Sequence, residues 1–303
     1  MSKEDLQPNN TEALQKVNLG GWEFNYLNRE VEFPKAAIDS VKASLLRWPS
    51  AFPKENTWVQ NNYGLPSIMI RVDAAVNDGN LFLYEIEERP AGIGIAYMLN
   101  ADFKDRLDTI RSTWPEFDVL VSSERKGTDD FLWANVVNQA NGNPVLIRAE
   151  PEESQFHHLE PQSISSLLKK GHKGYGVDLG LWNHVTSHEQ LDWSVPFVIK
   201  PLQGSKTRNV FIWHPEKLPG SHTKTKITNA ISENLGGMYV QPFCEPSKIE
   251  INHMDFWLLH RVYFGYNLLA NEWQFLGGLW NARPNLKIHG ASDAVFGPIK
   301  EGK

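Results

Sequence analysis

The alternation of apolar and polar positions is clearest between residues 66 and 87, "PSIMIRVDAAVNDGNLFLYEIE", where two runs rich in apolar and β-branched residues flank Asn77-Asp78-Gly79. That arrangement predicts a β-hairpin with strands over 66–76 and 80–87. Upstream, "PKAAIDSVKASLLRW" (34–48) carries Ala37, Ile38, Val41, Leu45 and Leu46 at helical spacing behind Pro34, so a helix is expected there. Over 117–149, "FDVLVSS" and "NPVLIRAE" read as strands around the amphipathic "DDFLWANVVNQANG". This is a βαβ unit, which implies a parallel pair. "PQSISSLLKKG" (161–171) reads as a helix closed by Gly171. Further on, strands are expected over 195–202, 208–213 and 238–243, and a helix over 225–237 stopped by Gly236-Gly237. Two long strands turn near Asn271 within 256–280. Hairpins combined with one βαβ unit define an α+β or mixed α/β chain without internal repeats.

The hairpin carries an unusual load of charge: Arg71 and Asp73 on one strand, Glu85 and Glu87 on the other. Residues two apart share a face of a strand, so strands paired through the turn can carry the two sets on one face. Three carboxylates at strand spacing suit Mg²⁺, a hard cation held by carboxylates and substrate phosphates. A solvated face with salt bridges is the competing reading. A second constellation is "FVIKPLQGSKTRNVFIW", in which Lys200 ends an apolar strand before a polar loop holding Gln203, Gly204, Ser205 and Lys206. Such a loop suits nucleotide phosphates, with Lys200 reaching a phosphate or the base, although an ordinary charged hairpin reads the same way. It matches neither the P-loop nor the Rossmann fingerprint. Gln241, on the apolar strand "MYVQPF", offers an amide to the edge of a base or sits at the core edge. Arg283, in "GGLWNARPNLKIHG", offers a cation for developing phosphate charge or lies in a surface loop.

Other candidates are weaker. His184 and His188 are four apart without the intervening Glu of a zinc protease motif. Cys244 is the single cysteine, which excludes an intrachain disulfide framework or thiolate cluster and reads as a small apolar core residue. The chain of 303 residues has a net charge of -6, which does not favour a nucleic-acid partner. It has no apolar run long enough to span a membrane, and the polar "MSKEDLQPNN" lacks a signal core. A cytoplasmic location without membrane contact is expected. Eleven Trp suit core and groove walls; a carbohydrate-stacking role is the lesser reading.

Taken in order, these stretches resemble the synthetase domain of glutathionylspermidine synthases, a circularly permuted branch of the ATP-grasp ligases. The family pattern R-F-D-F, then L-E-Y-N-x-D-T-P after a glycine turn, is similar to "RVDA" and "YEIEERPAG", with Glu85 twelve residues after Asp73 and Glu87 two further on. "FVIKPLQGSKTRNV" is similar to F-V-x-K-P-L-x-G-R-E-G-x-N-V, and "MYVQPF" to the adenine strand. The resemblance implies Mg²⁺ on Asp73, Glu85 and Glu87, ATP at Lys200, the 203–206 loop and Gln241, and catalytic roles for Arg71 and Arg283. It implies ligation of a small-molecule carboxylate to an amine, peptide and polyamine being candidates, through an acylphosphate. A nucleotide- or partner-binding protein keeping the same fold is the alternative. Glu87 stands where the family has Asn, and "GSKTRN" departs from the family phosphate loop. The implied organisation is an irregular or helical segment over 1–60 and a single catalytic unit over 61–303. Within that unit, 117–150 is the nucleotide-fold-like part and 190–303 the nucleotide lobe.

Overall fold

The computed structural model describes residues 13–19, 22–45, 69–77, 79–87, 92–113, 120–122, 146–148, 183–201, 210–217, 221–234, 237–286 and 293–303. The helices expected within 117–149 and over 161–171 lie outside these residues, as do Gln203, Gly204, Ser205 and Lys206.

In chain order the strands are β1 (Gln15–Leu19), β2 (Trp22–Tyr26), β3 (Val31–Phe33), β4 (Met69–Asn77), β5 (Asn80–Glu87), β6 (Leu120–Ser122), β7 (Leu146–Arg148), β8 (Asn183–Val185), β9 (Phe197–Pro201), β10 (Phe211–Trp213), β11 (Met238–Pro242), β12 (Lys248–Ile251), β13 (Met254–Asn267), β14 (Glu272–Arg283) and β15 (Val295–Glu301). The helices are α1 (Lys35–Leu45), α2 (Ile93–Leu99), α3 (Ala101–Ser112) and α4 (Ser221–Glu233). The chain is thus sheet-rich and mixed α+β. No helix among the described residues is long and apolar enough to cross a membrane.

A nine-stranded sheet runs β1-β2-β15-β14-β13-β4-β5, with β12 added beside β13 and β3 beside β15. Its spine is the long β13–β14 hairpin, which turns at Asn271 as expected. That residue takes φ 56, a left-handed conformation that asparagine tolerates better than most residues. Residues 15–33, expected to be irregular or helical, form three strands instead. Phe24 and Tyr26 alternate into the core, while their partner strand β15 lies at the far end of the chain, beyond the reach of local pattern. A separate four-stranded sheet, β10-β9-β11-β8, packs α4 on one face through Phe197, Ile199, Ile227, Ile231 and Met238. The parallel pair expected from the βαβ pattern is present as β6 and β7, with Leu120 opposite Leu146.

The glycine of β15, Gly297, has a packing reason. Trp280 is fully buried, pairs with Gly297 across β14–β15 and donates its indole N–H to the Arg29 carbonyl at 2.7 Å. A Cβ at Gly297 would fall 2.3 Å from the indole ring. Gly297→Ala is therefore expected to cost about 2–3 kcal/mol by overpacking, measured by urea denaturation. A loss below the error of that measurement would show that the ring moves aside freely.

Candidate functional site

The charged residues of the β4–β5 hairpin meet because of a bulge. Asn77 pairs with Asn80, and the pairing runs regularly to Ala74–Leu83. Continued unchanged, it would set Asp73 against Tyr84 and turn Glu85 to the opposite face. A register shift between Asp73 and Ala74 instead leaves Tyr84 as the extra residue. Asp73 then faces Glu85, and Arg71 faces Glu87. The backbone of Glu87 is placed; its side chain lies outside the described residues.

One strand inward, Arg261 of β13 stands opposite Asp73. Its Nε lies 3.8 Å from Asp73 Oδ2, while Arg71 engages the same carboxylate through Nε at 2.8 Å and donates from Nη2 at 3.1 Å. Arg71 and Asp73 are 4% and 6% exposed, so this is no solvated salt-bridge face. Strand alternation and register place Asn281 and Arg283 of β14 on the same face. Arg283 is a buried strand-end residue rather than part of a surface loop. It donates from Nε and Nη2 to Asp293, each at 2.8 Å. Farther along this face, α2 and α3 cover the sheet, with Phe103 against Tyr263.

The second sheet supplies the other two residues. In β9 and β11, Lys200 pairs with Tyr239 and Val198 with Gln241, so Lys200 and Gln241 share the face opposite α4. Both reach the bulged strand. Lys200 Nζ donates to the Tyr84 carbonyl at 2.9 Å, and Gln241 Nε2 donates to the Leu83 carbonyl. Two successive carbonyls are presented to the neighbouring sheet because the bulge breaks strict alternation. The Tyr84 hydroxyl donates to the Cys244 carbonyl at 2.7 Å, and burial raises its pKa. Gln241 Oε1 is buried and makes no hydrogen bond.

Cys244 is partly exposed, and burial with the Glu245 charge pushes its thiol up to about 11, unsuited to nucleophilic work at neutral pH. His184 is exposed on β8 beside the Tyr239 ring, and His188 lies in a single turn capped by Ser187. No group of three His, Cys, Asp or Glu among the described residues is placed to hold a metal. Of the described tryptophans, Trp213, Trp273 and Trp280 are core residues.

Sequence reasoning missed Arg261, Asn281 and Asp293. The first two were hidden in long apolar strands; their i and i+2 relations to Leu259 and Arg283 are readable only once the register is known. Compared with protein-family models the chain matches none, and compared with curated proteins it matches none.

Proposed function

We propose that the chain is an ATP-dependent carboxylate–amine ligase of circularly permuted ATP-grasp type, similar to glutathionylspermidine synthase. The observation that supports this most is the convergence at the β5 bulge. Carboxylates and guanidinium groups gather on one side of it, while Lys200 and Gln241 dock from a second sheet on the other. The donor chemistry fits Mg²⁺ carried by a nucleotide: Asp73 and Glu85 offer only hard carboxylate oxygens, and phosphates would complete the coordination. Glu87 is the further candidate ligand. The ion would neutralise phosphate charge during transfer.

The protein's own residues then position and neutralise. Arg71 and Arg261 hold the Asp73 carboxylate in place and present cationic charge to a reacting carboxylate and its acylphosphate. Arg283, fixed by Asp293, contributes a further cation. Lys200 would hold a phosphate, and the loop over 203–209, which lies outside the described residues, would cover it and keep water from the acylphosphate. Phosphoryl transfer of this kind needs little covalent chemistry from the protein. Amine attack on the acyl carbon then releases phosphate.

The nucleotide choice follows from Gln241. Its N–H is donated to Leu83, leaving Oε1 to accept a hydrogen bond. Such an acceptor suits the amino group of adenine and opposes the carbonyl of guanine. Mg-ATP at a hundredfold excess over its Kd is expected to stabilise the protein by about 2.7 kcal/mol. Mg-GTP is expected to do so far less, and Lys200→Ala to lose the effect. A Tm indifferent to Mg-ATP sinks the ligase reading. The engagement of both Asp73 oxygens by arginine favours a second reading, nucleotide binding without transfer; binding with no ADP release across a panel of carboxylates and amines would select it.

A further inference from the structure

We infer that Asn281 is a ligand-binding residue that takes an amide edge, one hydrogen-bond acceptor beside one donor. Asn281 lies in the middle of β14 and is fully buried, yet neither Nδ2 nor Oδ1 makes a hydrogen bond. Its opposite neighbours are Leu259 on β13 and Phe296 on β15, whose side chains offer it no polar atom. A buried side-chain amide with both ends unmet is costly, and native proteins rarely keep one without a use. An apolar residue of similar size would fit between Leu259 and Phe296 at no such cost.

The face decides what that use is. Trp280 and Ala282, on either side, point to the core face, so Asn281 points to the face that carries Asp73, Arg261 and Arg283. A carboxylate alone would satisfy Nδ2 and oppose Oδ1. An ammonium alone would do the reverse. A peptide-type amide meets both, as does the amino edge of adenine. On the ligase reading, on which only the naming of this ligand as substrate rests, Asn281 marks the acyl substrate as amide-bearing, next to the cationic end of the site.

The test uses the full chain, the variant Asn281→Leu and, should that variant not fold, Asn281→Ala. Probes are glycylglycine, δ-aminovalerate (the same backbone length without the amide) and Mg-ATP, read by thermal shift and by titration calorimetry. The Leu variant alone is expected to melt at or above the wild-type temperature, since it removes two unmet groups. Glycylglycine is expected to raise the wild-type Tm and to bind the variant on the order of tenfold more weakly or worse, with δ-aminovalerate raising neither. A variant that loses Mg-ATP binding instead assigns the edge to the base, which also supports the inference. Glycylglycine and Mg-ATP each acting equally on both proteins, or glycylglycine failing on wild type while Mg-ATP acts equally, overturns it. If Mg-ATP shifts neither protein but the dipeptide difference holds, the ligase reading fails and the amide site stands.

Discussion

Asp73→Ala is expected to abolish ADP release and, at the same time, to lower unfolding stability by about 3–5 kcal/mol, because breaking a buried ion pair strands its partner. The side chains of Arg71 and Asp73 are 4% and 8% exposed and 2.8 Å apart, with Arg261 on the same carboxylate. Removing Asp73 therefore takes away the carboxylate that the buried Arg71 and the half-buried Arg261 face. Glu85→Gln should separate the two effects. Glu85 is only half-buried, and its amide keeps the shape, so stability should change by about 1 kcal/mol or less while turnover is lost. Replacing the pair with apolar residues, Arg71→Met with Asp73→Leu, should recover much of the lost stability and none of the activity. Urea denaturation alongside ADP release checks all three. Full turnover in Asp73→Ala and Glu85→Gln would remove the metal-binding role of this hairpin. An Asp73→Ala protein as stable as wild type would show that the ion pair adds nothing to the fold.

The hairpin itself was legible from Asn77-Asp78-Gly79 and the flanking alternation, but the face of Glu85 was not. A two-residue turn with regular pairing sends Glu85 away from Asp73; the bulge at Tyr84 reverses that, and no local signal in "LFLYEIE" announces it. Lys200 and Gln241 were visible as polar residues closing apolar strands, whereas their acceptors, the Leu83 and Tyr84 carbonyls, are backbone atoms over a hundred residues away. Strands β2 and β3 escaped because their pairing with β15 joins opposite ends of the chain, and β1 reaches the sheet only through β2. Helix α3 was readable and overlooked: Asn100 accepts from the Phe103 N–H at 3.0 Å as an N-cap, and Phe103, Leu107 and Ile110 keep helical spacing and are buried.

His260 is expected to make the fold acid-sensitive. It precedes Arg261 on β13 but points to the opposite, apolar face, paired with Ala74 and Trp280 and tilted against the Phe33 ring at 5.5 Å. It is 2% exposed and its Nδ1 makes no hydrogen bond. Burial holds its pKa down to about 4 from the ordinary 6.5, against a weaker opposing effect of the Ala74 backbone. The folded protein thus carries a neutral imidazole at a pH where the unfolded chain already binds the proton. Proton binding by the unfolded chain alone is a penalty on the fold that is absent above pH 6.5, grows as the pH falls from 6.5 to 4 and levels off below it. A depression of that size corresponds to about 3 kcal/mol. His260→Leu should be close to wild type at neutral pH and should lack this component, so the stability difference between the two proteins should grow in favour of the variant across that window and level off below it. Denaturation curves for both proteins at several pH values measure it. Parallel profiles from neutral pH down to pH 4 would mean that the imidazole finds a proton acceptor in the folded state and that its burial does not set the acid limit of the fold.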